Sequence, residues 1–118
     1  MAIIRIEDLK LSAILGVNKG ERIRQQMVVI NITLEYDANR AILTDDIETA
    51  LDYKALKKKI LLHVSKSKFY LLEKLTDCVL KLVMEDPRVT RASVRIDKPQ
   101  ALRFARSVSV ELSAVRGK

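Results

Sequence analysis

The stretch Val94-Arg-Ile-Asp-Lys-Pro-Gln-Ala-Leu102 joins two predicted strands and places a lysine where they meet. Residues 91–96 are predicted as a strand, and residues 107–113 alternate polar and apolar side chains with the period of two that a strand requires. Pro99 disfavours the helical conformation for Lys98, so the backbone holds this lysine extended at the mouth of the strand. Lys98 is thus a candidate reactive amine, although a solvated loop lysine is the simpler interpretation of a Lys-Pro pair taken alone.

A second pair of strands is predicted at the start of the chain. Residues 3–17 alternate in polarity up to a glycine, and residues 26–36 form the clearest strand, with every second side chain apolar. The polar residues 18–25, which include Glu21, connect the two strands. Two long strands joined by a short polar connection predict an antiparallel hairpin.

Two helices are predicted between the hairpins. After residues 38–50, which are irregular or briefly helical, Asp52 can cap a helix over residues 53–64. Residues 65–68 break the pattern, and a second helix is predicted over residues 71–84. The apolar positions with helical spacing are Leu56, Ile60, Leu61 and Val64 in the first helix, and Leu72, Leu75, Val79, Leu82 and Val83 in the second.

The order of these elements predicts the fold class. Strand, strand, helix, helix, strand, strand over residues 1–118 indicates one α+β domain, with an antiparallel sheet and both helices on one face. Such a sheet has two open edges, and long exposed edges are usually paired with something. We therefore expect a homo-oligomer that closes the sheet.

The composition indicates a globular domain with an anionic partner. Of 118 residues, 48% are hydrophobic and 31% charged, which is enough to form a core. No apolar run approaches the ~20 residues of a bilayer span, so we expect a cytoplasmic location and no membrane partner. The formal net charge of +7 favours an anion as the partner, and the 4% of aromatic residues argues against nucleic acid.

The chain offers few groups for metal, thiol or phosphate chemistry outside the strand ends. One cysteine, Cys78, and one histidine, His63, are too few for a dedicated zinc site, so no metal is expected. Cys78 lies in an apolar helical pattern and is interpreted as a small core residue rather than a nucleophile. The lysines at positions 57–59 are interpreted as a solvated helix face rather than an anion site.

Four polar residues remain as candidates for a functional site. Glu73 lies among leucines in the first turn of the second helix, where its carboxylate could accept two N–H donors of a planar heterocycle. Tyr53 begins the first helix, and its phenol could relay a proton. Glu21 and Lys98 complete the set. Each has a simpler interpretation as a surface residue or, for Tyr53, a residue at the rim of the core.

Together these residues and their surroundings resemble the dihydroneopterin aldolase family. The matching segments run through the whole chain in order: Ile3-Ile-Arg-Ile6 with residues 9–17, Glu21 with Gln26, Thr44-Asp-Asp-Ile47, Ala50-Leu-Asp-Tyr53, residues 69–76, Ile96-Asp-Lys-Pro-Gln-Ala-Leu-Arg103 and Ser107-Val-Ser-Val110.

The resemblance implies the tunnelling fold, in which four subunits close an antiparallel barrel with the helices outside and two rings stack as an octamer. It also implies a pterin substrate, no cofactor, and active sites between neighbouring subunits. By motif match, Glu73 with the adjacent Leu72 holds the pterin, and Lys98 is the general acid/base. Tyr53 assists proton transfer, and Glu21 helps to hold Lys98 and the side chain of the substrate.

Two reactions of this family remain open. Residues 69–76 and 101–109 resemble the epimerase branch, which inverts C2' of 7,8-dihydroneopterin triphosphate, more than the aldolase branch, which releases glycolaldehyde and 6-hydroxymethyl-7,8-dihydropterin in folate biosynthesis. The positive charge agrees with a triphosphate. A basic binding module without turnover is a third interpretation, disfavoured by the four intact site residues. The candidate phosphate-binding residues are Lys19, Arg22, Arg24, Arg103 and Arg106.

Overall fold

The structure, a computed structural model, describes residues 1–17 and 19–117, apart from the side chains of Arg22 and Ile23. Within this range the strands are β1 (Ala2–Leu15), β2 (Gln26–Tyr36), β3 (Lys68–Phe69), β4 (Val89–Pro99) and β5 (Ser107–Val115). The helices are α1 (Lys19–Ile23), α2 (Asn39–Thr44), α3 (Tyr53–Lys66) and α4 (Leu72–Met84), with a 3₁₀ turn at Ile47–Thr49.

The strands form one sheet in the order β3-β1-β2-β4-β5. All pairs are antiparallel except β3 with β1, which is parallel and only two residues long. Every second side chain of β2 and of the middle of β4 is buried, because α3 packs over β1 and α4 packs over β4 and β5 on that face. The opposite face of the sheet carries mostly polar side chains. The predicted α+β architecture with helices on one face is confirmed.

The predicted helices are also confirmed. The Asp52 side chain accepts hydrogen bonds from the backbone N–H groups of Lys54 and Ala55, at 3.0 and 3.1 Å, and so caps α3 as expected. Ile60 and Val64 are fully buried beneath this helix, whereas Leu61, predicted on the inward stripe, is 37% exposed. α3 packs against β1 and α4 on one side only, so the buried stripe is narrow and Leu61 lies at its margin.

Two elements differ from the prediction because they depend on contacts that the local sequence pattern does not contain. The predicted break over residues 65–68 contains the end of α3 at Lys66 and the start of β3 at Lys68, a fifth strand that exists only because β1 lies beside it. The predicted polar connection over residues 18–25 contains the short helix α1. Asn18, part of that connection, lies outside the described residues.

A bulge in β1 changes which side chains face the core. Ile6 pairs with Ile32 and Leu9 with Ile30, so two residues of β1 lie opposite the single residue Asn31. Asp8 has a φ of +55°, and its N–H donates to Asn31 Oδ1 at 2.9 Å. Inward positions are therefore even-numbered before the bulge and odd-numbered after it, a shift that the predicted continuous strand over residues 3–17 did not include.

The molecule is elongated, 52 × 25 × 23 Å, and has two distinct ends. At one end, called the Lys98 end, β1 and β4 finish while β2 and β5 begin. At the other, called the Arg88 end, α3 begins, α4 finishes and β4 begins, and Arg88 Nη1 donates to Ala50 O at 2.6 Å. In the described part of the chain, no helix is long and apolar enough to cross a bilayer.

Candidate active site

Lys98 and Glu21 form an ion pair at the Lys98 end. Lys98 Nζ donates to Glu21 Oε2 at 2.5 Å, although the two residues are 77 positions apart. Their side chains are only 15% and 24% exposed, respectively. A lysine and a carboxylate held together at the edge of solvent are suited to proton transfer, because both partners are fixed yet reachable by a substrate.

The strand that carries Lys98 is longer than predicted. β4 continues past Ile96 to Pro99, and Lys98 pairs with Val108 of β5, so the prediction that Lys98 follows the strand is corrected. Lys98 lies two positions after the buried Ile96 in β4, so its side chain points towards the same, helix-covered face of the sheet. The ladder with β5, together with Pro99, therefore fixes the direction of this amine.

The Glu21 carboxylate is held from several sides. Gln26, the first residue of β2, donates from Nε2 to Glu21 Oε2 at 3.4 Å and to the Leu15 carbonyl at 2.8 Å. Gly16 lies directly against the same carboxylate. The sequence analysis paired Glu21 with Gln26 through the resemblance, but it gave no role to Gly16. The signal in the sequence was a glycine at the strand end, five positions before the glutamate.

Glu73 is brought to the Lys98 end by β3. The Gly16 N–H donates to the Phe69 carbonyl at 3.2 Å, and α4 begins three residues after Phe69. Glu73 is exposed in the first turn of α4, where the helix dipole favours a carboxylate, and Leu72 beside it is half-buried against the core. The exposed carboxylate of Glu73 is thus available to a ligand at the end of the molecule that holds Lys98.

Tyr53 lies at the opposite end. It is the first residue of α3, is 53% exposed, and follows a segment fixed to Arg88. α3 has 14 residues and runs from Tyr53 towards β3, a length of roughly 20 Å at the rise of an α-helix. One chain therefore does not bring Tyr53 together with Lys98 and Glu73.

The candidate phosphate-binding residues are spread over several surfaces. Lys19 is exposed in α1 beside Glu21, and Arg24 is exposed just after it, whereas the side chain of Arg22 lies outside the described residues. Arg103 stacks on the Phe104 ring, 5.5 Å from its centroid. Arg106 lines a depression of about 270 Å³ on the uncovered face of the sheet.

The remaining groups with possible chemistry lie on the helix layer. Burial raises the pKa of the Cys78 thiol, which packs against the core as expected for a small core residue. His63 lies on the exposed side of α3, with its Nδ1 2.9 Å from the Lys59 carbonyl. Among the described residues, no three His, Cys, Asp or Glu side chains come together in the way a metal site requires.

Comparison with known proteins gives the family. A family model described as dihydroneopterin aldolase (FolB) matches residues 4–113. A dihydroneopterin triphosphate 2'-epimerase of Pseudomonas aeruginosa is 47% identical over 116 residues, 98% of this chain and 94% of that protein. The enzyme of the same description from Escherichia coli K12 is 46% identical over 112 residues, 95% of this chain and 93% of that protein.

The solved structures agree with this result. The crystal structure of E. coli dihydroneopterin aldolase in complex with neopterin superposes with a TM-score of 0.91 and 27% sequence identity, covering 99% of this chain and 100% of that chain. The chain belongs to the dihydroneopterin aldolase family.

Proposed function

We propose that this protein is a dihydroneopterin triphosphate 2'-epimerase, which converts 7,8-dihydroneopterin triphosphate to 7,8-dihydromonapterin triphosphate. The observation that carries the proposal is the Lys98–Glu21 pair, 2.5 Å between Nζ and Oε2. It supplies a fixed proton donor and acceptor without a metal or a cofactor. The identity of 46–47% to epimerases over nearly the whole chain supports the choice of reaction.

The proposed chemistry is a retro-aldol cleavage followed by an aldol addition. Removal of the 2'-hydroxyl proton breaks the C1'–C2' bond, and its electrons enter the conjugated C=N bond of the dihydropterin ring. The products are an enol and a glycolaldehyde-type fragment that keeps the triphosphate. If the fragment turns over before the bond forms again, C2' is inverted. Lys98 moves the protons, and Glu21 fixes its ammonium.

The pterin ring is proposed to lie against the start of α4. A carboxylate that accepts two parallel N–H donors binds an amino-pyrimidine edge as it binds a guanidinium. Glu73 is exposed at the helix N-terminus and can present both oxygens, with Leu72 contributing apolar contact beside it. This arrangement leaves the side chain of the substrate free to extend towards Lys98.

The site is proposed to be completed by a neighbouring subunit, in an octamer of two stacked tetrameric rings. β5 and most of β1 have outer edges without a strand partner within the described chain. Exposed apolar side chains occur at both ends, and contact between neighbouring subunits of a ring would bury them. Such a contact would bring Tyr53 of one chain to Lys98 of the next. These exposed apolar residues include Ile42, Leu43, Ile47, Leu102 and Phe104.

Cations near the pair are proposed to bind the triphosphate. Lys19 and Arg24 lie in the same segment as Glu21, and Arg103 follows Lys98 by five positions. These three cations are therefore proposed to lie closest to the phosphates. Arg22 and Arg106 complete the set to be tested. If neutral substitution of all five leaves the KM for the triphosphate unchanged, the assignment is wrong.

Dihydroneopterin aldolase activity is the second candidate, favoured by the likeness to the neopterin-bound aldolase structure. The deciding experiment is a chromatographic time course with dihydroneopterin triphosphate and, separately, with unphosphorylated dihydroneopterin. Conversion of the triphosphate to its 2'-epimer with little cleavage supports the epimerase. Predominant release of glycolaldehyde and hydroxymethyl-dihydropterin from the unphosphorylated substrate would overturn it in favour of the aldolase.

A further inference from the structure

We propose that Gly16 is a positioning residue, which supplies the space that allows the Glu21 carboxylate to reach Lys98. Gly16 is buried and follows the last residue of β1 with a φ of +128°, a conformation that residues with a side chain rarely adopt. Its N–H donates to the Phe69 carbonyl at 3.2 Å. The position is therefore fixed between β1 and β3, with one face towards Glu21.

The space above Gly16 is filled by the carboxylate of Glu21. A Cβ at position 16 would lie 2.6 Å from Glu21 Oε2 and closer still to Cδ and Oε1. These are the three atoms nearest to it, and packed atoms do not approach each other so closely. Oε2 is also the atom that accepts from Lys98 Nζ and from Gln26 Nε2. A methyl group here would therefore overlap the carboxylate whose Oε2 holds the lysine.

The Glu21 carboxylate is the group that would move. It is the end of a flexible side chain, whereas Gly16 is fixed by its backbone hydrogen bond and by the strand before it. A shift of about 1 Å in a positioned catalytic group lowers turnover by as much as 100-fold. The catalytic consequence rests on the proposed function, but the effect on the ion pair rests on geometry alone.

Gly20 provides a matched control within the same segment. A Cβ added at Gly20 meets no atom within 4 Å, although Gly20 directly precedes Glu21 in the chain. Gly20→Ala thus adds the same methyl group next to the same glutamate without occupying the carboxylate position. Turnover should remain within about twofold of the parent protein, and the Tm within about 3 °C.

The first test is a double-mutant cycle in turnover of dihydroneopterin triphosphate by the assembled protein. Gly16→Ala should lower kcat by 10- to 100-fold in the parent background and less than threefold in the Glu21→Ala background, where the overlapping atoms are absent. The pH–rate profile of Gly16→Ala should change in the same direction as that of Glu21→Gln. Parent-level activity, or an equal loss in both backgrounds with an unchanged profile, would overturn the proposal.

A second test needs no substrate and separates this proposal from the proposed function. The Tm changes of Glu21→Gln and Lys98→Met should be non-additive in the parent protein and additive in the Gly16→Ala background. Equal coupling in both backgrounds would overturn the proposal even if the protein is an epimerase. If Gly16→Ala does not fold, adding Glu21→Ala should restore folding. Failure to restore it would show that the positive φ of position 16, and not the overlap with Glu21, prevents folding, and would overturn the proposal.

Discussion

The two ends of the molecule each hold an ion pair, and the two pairs join very different parts of the chain. Lys98 and Glu21 are 77 positions apart, and their side chains are 15% and 24% exposed. Arg88 and Asp86 are two positions apart, and their side chains are 42% and 27% exposed, with Nη2 2.7 Å from Oδ2. The first pair can form only when β4 and α1 have come together, whereas the second forms within a single turn.

This difference supports the proposed catalytic role of the first pair, whereas the second pair stabilises local structure. Asp86 also accepts from the backbone N–H of Arg88 at 3.0 Å, so the pair closes the turn between α4 and β4. Arg88 then donates to the Ala50 carbonyl and fixes the segment that leads to Tyr53. The Lys98–Glu21 pair closes no turn, so its position at the mouth of the sheet is better explained by a role towards a ligand.

The largest effect is expected when the long-range pair is broken. Lys98→Ala should lower kcat by roughly 10²- to 10⁴-fold while pterin binding is largely retained, because general acid/base catalysis is lost but Glu73 remains. Steady-state kinetics and calorimetric titration with a pterin measure the two quantities. Lys59→Ala is the matched control, since Lys59 pairs with Glu85 on the helix layer at 2.5 Å. Full activity in Lys98→Ala would contradict the proposed role.

Glu73→Ala should affect binding rather than the proton-transfer step. Loss of two charge-assisted hydrogen bonds should raise the pterin dissociation constant by at least about 100-fold. Calorimetric titration measures this change, with Glu85→Ala as the control for removal of an exposed helix-end glutamate. Unchanged affinity in Glu73→Ala would place the pterin elsewhere.

A mixture of an impaired and an inactive variant tests whether the two ends meet across a subunit contact. Tyr53→Phe should be impaired and Lys98→Ala inactive when assembled separately. If each site takes Lys98 from one chain and Tyr53 from the next, random co-assembly of equal amounts should restore roughly a quarter of the sites. Activity after joint refolding, compared with simple mixing of the assembled variants, measures this recovery. No recovery would show that Tyr53 and Lys98 do not share a site between neighbouring subunits.

The smallest effect is expected at the local pair, in stability rather than turnover. The side-chain hydrogen bond from Arg88 lowers the pKa of the Asp86 carboxyl below its ordinary value. A carboxyl with a lowered folded-state pKa stabilises the fold at neutral pH, and this contribution disappears as pH falls below about 4.

Arg88→Met should accordingly lower the free energy of unfolding by about 1 kcal/mol at pH 7, and the difference from the parent protein should narrow below about pH 4. Urea unfolding at several pH values measures it. Arg91→Met is the control, because Arg91 is more exposed and lies 3.3 Å from its partner Glu35. If the difference in free energy of unfolding does not change with pH, the effect comes from the lost contact with the Ala50 carbonyl and not from the pair with Asp86.

Local patterns were sufficient to predict most of the fold. β2, α3 and α4 have regular apolar spacing, and their positions were predicted to within two residues, because burial of one face requires that spacing whatever lies opposite. β3 and the bulge at Asp8 were not predictable in this way. Each depends on a partner distant in the sequence, β1 for the first and Asn31 for the second.

The sequence by itself determined the α+β architecture and the cap at Asp52, since these follow from side-chain type and local spacing, whereas the candidate site residues were assigned through the resemblance to the family. Glu21 was expected to hold Lys98 through the resemblance alone, and the tertiary structure decided how the two side chains meet, that Gly16 leaves the room for this contact, and that Tyr53 lies at the other end of the molecule. Contacts across 77 positions leave no periodic signal, because they arise from the register of strands and the path of connections rather than from neighbouring residues.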